Sequence, residues 1–205
     1  MLTIHHLRVG RSIFCVWLLE ELGLKYELVE YYRNPETMRA PPELKNIHPL
    51  GKSPVIDDDG LILSESGAIT SYLIEKHGRD TDLCPSRSDL EKWAEYSQWL
   101  HYPEGSVFAP LLIKMLSLRS PEPENLFQAF ADPEVKLHLD YISNRLSDQS
   151  YILGEEFTAA DFGITYVLSL AERLGQLTGY NNLQAYLKRN TNRPAFLKAI
   201  ERAEE

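Results

Sequence analysis

Residues 50–69 constrain the fold more tightly than any other part of this 205-residue chain. Leu50-Gly51-Lys52-Ser53-Pro54-Val55-Ile56 runs into Asp57-Asp58-Asp59-Gly60 and then Leu61-Ile62-Leu63-Ser64-Glu65-Ser66-Gly67-Ala68-Ile69. In order these are a proline entering a strand, a tight turn, a second strand, and a helix that begins with an acid and a hydroxyl. Two apolar runs across an Asp-Gly turn predict a hairpin. Pro54 has no N–H for a ladder, so it belongs at a strand's first residue, where none is needed. A cis Ser53-Pro54 bond would turn the Ser53 backbone outward. An outward backbone beside a helix N-terminus suits a small peptide: the main chain pairs with it as an added strand does, while Glu65 and Ser66 hold its charged ends.

The flanking segments extend this unit. Residues 2–6 and Glu27–Tyr31 read as strands, with a helix from Ser12 to Leu22 between them, Ser12 as its N-cap and Gly23 as its stop. Ile13, Phe14, Val16, Trp17, Leu18 and Leu19 make that helix apolar on nearly every side, which predicts cover on both faces. Strand, helix, strand in that order predicts a parallel pair with a right-handed crossover. After the polar stretch Asn34 to Pro42, Glu43 to His48 reads as a short helix or turn. A second helix, with apolar Ala68, Ile69, Tyr72 and Leu73, runs from Glu65 to about His77 and ends at Gly78.

This order, βαβ then ββα, predicts an α/β thioredoxin-like N-terminal domain over residues 1–79. The aperiodic tract Gly78 to Arg87 supplies a linker at 80–87, and residues 88–205 read as an all-α C-terminal domain, with Pro121-Glu122-Pro123 separating two helices. Within it, Phe157-Thr158-Ala159-Ala160-Asp161-Phe162 is a capping-box sequence. Thr158 stands at the N-cap and Asp161 at N3, with Phe157 and Phe162 as the flanking staple, so Asp161 is expected to be structural.

A net charge of −9 and a pI near 5.2 argue against nucleic acid or an anionic membrane as the main partner. No segment has the roughly 18 apolar residues of a membrane span and no basic-then-apolar leader opens the chain, so a cytoplasmic location is expected. Cys15 and Cys84 have no metal-ligand spacing, and no metal is expected; Cys15 reads as a buried apolar side chain and Cys84 as a partly exposed one.

Gly-x-x-Pro before a strand, Glu-Ser-x-Ala-Ile at the start of the next helix, and a helical domain with a Thr-x-x-Asp box together resemble the cytosolic glutathione transferases, over the whole chain. Arg39-Ala40-Pro41-Pro42-Glu43-Leu44-Lys45, Ile47-His48-Pro49-Leu50-Gly51 and Tyr102-Pro103-Glu104-Gly105-Ser106 look like a branch found in bacteria and fungi. The resemblance implies glutathione as co-substrate, a hydrophobic small-molecule electrophile as second substrate, and a homodimer. It implies a cis Pro54, main-chain pairing of Ser53 with the cysteinyl residue, and Glu65 with Ser66 holding the γ-glutamyl amine and carboxylate. Arg39 and Lys52 would face the glycine carboxylate, and an acidic protein that binds an anionic tripeptide does need local cations. The reaction implied is attack of the glutathione thiolate on an electrophilic carbon, or on a peroxide or disulfide. Because a free thiol titrates near about 8.5, a hydroxyl, amide or cation at the N-terminus of the first helix would assist it.

One departure stands out. In the branch resembled, a catalytic serine precedes an arginine by four residues and Trp-Leu-Leu by seven; those positions here are Gly10 and Phe14. Ser12, Arg11 and the Gly10 backbone are the candidates for the vacant role. His5 and His6 lie near the same place, and strand alternation would point one inward and one outward. For the second substrate, Trp99, Tyr102, Pro103, Phe108, Leu111, Leu112 and Met115 form an aromatic and aliphatic wall, with Tyr102, Phe108, Leu111 and Met115 as pocket candidates. The leading reading is conjugation. The alternatives are glutathione-dependent disulfide or peroxide reduction, and a catalytically silent binding module of the same fold.

Overall fold

The computed structural model describes residues 1–119 and 126–204. The expected break at Pro121-Glu122-Pro123 lies outside the described residues. Two compact units form: Met1–Thr81 together with the segment from Asn192 onward, and Asp82–Thr191.

The first unit is built on a four-stranded sheet of β1 (Leu2–Leu7), β2 (Glu27–Tyr31), β3 (Val55–Asp58) and β4 (Leu61–Ser64), in the order β2-β1-β3-β4. β1 and β2 are parallel, as the strand-helix-strand order requires, while β3 is antiparallel to both β1 and β4. The hairpin loop is only Asp59-Gly60, because Asp57 and Asp58 belong to β3. Both loop residues have positive φ (53° and 95°), the backbone twist a two-residue hairpin favours and the reason a glycine stands there. Asp58 is buried and accepts from Tyr72 Oη (2.7 Å) and Lys76 Nζ (2.5 Å), which tie the hairpin to the second helix, α2 (Ser66–His77). The same two hydrogen bonds hold its carboxyl below the usual range.

The helix α1 (Ile13–Glu21) has every residue from Ile13 to Glu20 buried. It ends in a Schellman turn, with Gly23 at φ 62° and bonds from Gly23 N–H to Glu20 O and Leu24 N–H to Leu19 O (3.1 and 3.0 Å). Its outer side is covered by α8 (Pro194–Arg202). Phe196 meets the Trp17 ring edge-on at 5.0 Å, and Arg193 grips Glu21 through two bonds of 2.6 and 2.9 Å. Lys198 Nζ and Arg202 Nη1 reach Glu20 at 2.5 and 3.5 Å, and the Tyr26 hydroxyl donates to Glu20 at 2.7 Å. The chain from 192 onward is therefore not part of the helical domain, where the sequence reading placed all of 88–205. Helix α8 belongs with α1 because an apolar helix needs cover on the side away from its sheet.

Both β1 histidines are buried, His5 at 7 % and His6 at 0 % exposed, so neither of the two faces between which they alternate is open to solvent here. β1 lies between two other strands, and its burial leaves only Thr3 part-exposed among its six residues.

In the second unit the described helices are α3 (Leu90–Tyr102), α4 (Phe108–Ser117), α5 (Leu126–Arg145), α6 (Ala160–Arg173) and α7 (Asn181–Thr191). A π-helical turn, Pro103–Val107, joins α3 to α4. A Cβ on Gly163 of α6 would stand 2.9 Å from Pro103 Cγ, so the glycine permits this close packing. Asp161 is fully buried and its carboxylate accepts four hydrogen bonds: from Ile152 N–H (2.9 Å), Thr158 N–H (2.9 Å), Thr158 Oγ1 (3.3 Å) and Tyr186 Oη (2.7 Å). Burial pushes this carboxyl up against the pull of those donors. The box is thus half formed. α6 begins one residue later than the sequence suggests, with Ala159 at the N-cap, and the Thr158 hydroxyl donates to Asp161 instead of accepting from its N–H. The staple survives as Phe157 against Phe162, 5.3 Å apart and T-shaped.

Two outcomes are expected. Asp161→Asn turns an NH2 toward donors in a buried site and should cost about 2–4 kcal/mol, read by chemical denaturation. Glu20→Ala should cost about 1–3 kcal/mol near neutrality, a figure held down because Lys198 and Arg202 are largely exposed. Burial alone would raise the Glu20 carboxyl, but Lys198, Tyr26 and Arg202 outweigh it and the net shift is downward. Its contribution is then fully present above the ordinary glutamate range and is lost as pH falls through the lowered folded value. The gap between wild type and Glu20→Ala should accordingly narrow in denaturation curves taken from about pH 6 down to pH 3.

Candidate functional site

Strand register gathers four chain segments at one end of the sheet. His5 pairs with Val55, Val55 with Ser64, and Leu7 with Tyr31. β1, β2 and β4 therefore finish at the end where β3 begins. The Arg8–Ser12 loop, Arg33 just past β2, Ser53-Pro54 and Glu65-Ser66 all leave the sheet there, and in open α/β sheets ligands settle outside such strand ends.

The Ser53-Pro54 bond is cis, as the sequence reading anticipated. Ser53 lies beyond the last β1–β3 pair and is anchored by its side chain, Oγ donating to His5 O (2.7 Å) and accepting from Leu7 N–H (3.1 Å). Gly51 precedes it at φ 58°, and a Cβ there would stand 2.8 Å from Lys45 Cγ. Across the β3–β4 pair, Glu65 is exposed at φ 70°, ψ 116°, a conformation costly for a residue with a side chain, and its carbonyl accepts the Ile69 N–H (2.9 Å). Ser66 then opens α2 with no acidic residue in the first turn, leaving the helix end electropositive. Arg39 and Lys52 are exposed, and among the described residues neither makes an ion pair. Arg39 follows a turn closed by Met38 N–H to Asn34 O and by Asn34 N–H to Arg39 O (2.8 and 2.9 Å).

The segment before α1 differs from the sequence expectation. Ser12 stands at the N-cap but makes no side-chain cap bond. It is completely buried, its Oγ accepting from Leu7 N–H (3.2 Å) and donating to Leu7 O (3.3 Å). A hydroxyl turned into the sheet end in this way holds β1 to α1 and offers nothing to a ligand. Arg11 is half-buried, and Gly10 is buried with an ideal Cβ 2.7 Å from Leu7 O and 3.2 Å from Arg33 Nη2. Gly10 is therefore more than a lost hydroxyl, since this backbone has no room for a side chain at position 10. His5 Nδ1 pairs with Tyr31 Oη (2.9 Å), and burial lowers its pKa. Cys15 is wholly buried and Cys84 part-buried, as expected.

In the second unit, Leu111 is fully buried and so belongs to the core, not to a pocket wall. Tyr102 is half-buried among Trp99, Tyr141 and His138, its hydroxyl 2.6 Å from His138 Nδ1, and desolvation raises it far above the ordinary tyrosine range. Phe108 and Met115 are half-buried and keep apolar surface available. A cavity of about 460 Å³ between α3 and α5, lined by Trp99, Tyr141, Glu95 and Arg145 among others, was not legible in the sequence, because its walls come from residues some 45 positions apart. Among the described residues no group of three or more His, Cys, Asp or Glu is placed to hold a metal ion, and no helix is long and apolar enough to cross a membrane.

Restoring a serine at position 10 tests the steric account. Gly10→Ser should destabilise the protein by about 1–3 kcal/mol in denaturation curves, because its Cβ meets backbone oxygen rather than open space. Ser12→Ala should cost about 1 kcal/mol through lost bonds to Leu7.

Comparison with known proteins gives a concordant picture. Residues 2–75 match the glutathione S-transferase N-terminal domain and residues 128–189 match the glutathione S-transferase C-terminal domain. Glutathione S-transferase 3 of Schizosaccharomyces pombe is 34 % identical over 100 % of this chain and 89 % of its own. Glutathione S-transferase 1 of Saccharomyces cerevisiae is 29 % identical over 99 % and 95 %. A solved glutathione S-transferase from Actinobacillus pleuropneumoniae superimposes with a TM-score of 0.90 at 33 % identity, covering 100 % of this chain and 93 % of that one. With a thioredoxin-like unit and a helical unit in the order these relatives share, the chain belongs to the glutathione S-transferase family.

Proposed function

We propose that this protein is a glutathione transferase that binds glutathione along the end of the first unit's sheet and joins its sulfur to hydrophobic electrophiles. The observation that carries the reading is the register that brings Ser53-Pro54, Glu65-Ser66 and the Arg8–Ser12 loop to one sheet end. Ser53, past the last rung of the ladder, pairs with the cysteinyl main chain as an added strand. Glu65 takes the γ-glutamyl ammonium, and Ser66 with the α2 N-terminus takes its carboxylate. Arg39 and Lys52 neutralise the glycine carboxylate. In the reaction the thiol gives its proton to solvent, the thiolate forms a bond to an electrophilic carbon, and a leaving group such as halide departs. With the Ser12 hydroxyl committed to Leu7, stabilisation of the thiolate falls to Arg11 and to N–H groups at the start of α1. A homodimer in the cytoplasm completes the reading.

Calorimetric titration with glutathione should give saturable binding, and the absence of saturation at millimolar ligand would sink every enzymatic version. If binding holds, conjugation of an aryl halide should exceed reduction of a hydroxyalkyl disulfide, the reverse ratio making the protein a reductase. Binding without either turnover identifies a silent module. Arg39→Ala and Lys52→Ala should each raise KM for glutathione about three- to tenfold with kcat nearly unchanged, the pattern of lost ground-state binding.

A further inference from the structure

Arg33 follows β2, and its guanidinium spans two loops. Nη2 donates to the carbonyl of Val9 (3.1 Å) and Nη1 to the carbonyl of Met38 (3.2 Å). Val9 leads directly into Gly10 and Arg11, and Met38 directly into Arg39. Both accepting residues have left-handed backbones, Val9 at φ 54° and Met38 at φ 57°, conformations that a β-branched or long side chain adopts only when its surroundings require it. A planar fork of donors is the side chain best suited to hold two carbonyls at a fixed separation. The same Nη2 stands 3.2 Å from where a Gly10 Cβ would be. The cation thus borders the position at which the resembled branch carries its serine.

We propose that Arg33 is a positioning residue of the glutathione site. It fixes the Val9–Arg11 loop, at the thiol end, against the Met38–Arg39 loop, at the glycine end, and its charge lies beside position 10. This rests on the glutathione-transferase reading above. It adds that the spacing between the two ends of the ligand site is set by one side chain that touches neither substrate. It also gives Gly10 a cause, since a side chain there would displace both the guanidinium and the Leu7 carbonyl.

The test compares Arg33→Gln and Arg33→Lys with wild type for KM and kcat with an aryl halide, for the pH dependence of kcat/KM, and for thermal unfolding. Arg33→Gln, with one amide and no charge, should raise KM for glutathione about fivefold or more and move the acid limb of the pH profile upward by about half a unit or more. Arg33→Lys should restore the pH limb but not KM, because an ammonium keeps the charge and cannot fork to two carbonyls. A merely structural arginine would lower the unfolding temperature and leave the limb in place. KM within twofold of wild type and an unmoved limb in both folded variants would overturn the proposal while leaving the transferase reading intact. If Arg33→Gln does not fold, Arg33→Lys is combined with Arg39→Ala. A joint effect on KM smaller than the product of the single effects supports a shared loop, and a simple product overturns it. Wild type that fails to bind glutathione removes the reading itself, a result separable from any behaviour of the variants.

Discussion

A helix with no polar face must be covered on every side, and α1 sets that condition for the whole first unit. Ile13 through Glu20 are buried, and the sheet alone cannot hide them. The chain returns from its far end to supply α8, which brings Phe196 against Trp17 and places Arg193, Lys198 and Arg202 on Glu20 and Glu21. Once α1 is immobilised in this way, its N-terminus becomes a fixed reference for the loop before it. Ser12 completes the attachment by bonding back to Leu7 at the end of β1.

From that anchored end the site follows by register. Pairing of His5 with Val55 and of Val55 with Ser64 makes the last residues of β1 and β4 neighbours of the first residue of β3. The short Asp59-Gly60 loop sets that register, because a longer turn would permit a slip that exchanged the two faces of β4. Two of the segments gathered there are held by side-chain hydrogen bonds: Ser53 to His5 and Leu7, and the Val9 loop to Arg33. The second unit has a different centre, a buried carboxylate. Asp161 joins the Ile152 turn, the start of α6 and Tyr186 of α7 through its hydrogen bonds, so the direction of α6 depends on one side chain.

Much of this was legible in the residues. The hairpin, the positions of Pro54, Glu65 and Ser66, the parallel βαβ pair and the structural role of Asp161 are local patterns, each contained within about thirty residues and each backed by turn chemistry or periodicity. The errors were equally specific. Ser12 looked available because it precedes a helix, but its nearest acceptor and donor are on Leu7, which only the packing of α1 on β1 brings within reach. Leu111 looked like pocket wall because it is apolar, and apolarity does not distinguish a wall from a core. Arg33 carried no signal at all, since two arginines near a ligand site differ only in what they touch.

What the sequence determined by itself was the order of elements, the hairpin and helix starts at one end of the first unit's sheet, and the family these belong to, because each depends on contacts between residues close in the chain. Tertiary structure alone decided that residues from 192 onward serve α1, that Ser12 is spent on the fold, and that Gly10 is bounded by the Leu7 carbonyl and the Arg33 guanidinium. The first of those outcomes rests on contacts between residues as many as 182 positions apart, as in Arg202 with Glu20, and the other two on residues near in sequence that meet only through the packing of α1 on β1 and the approach of Arg33, which no local pattern encodes.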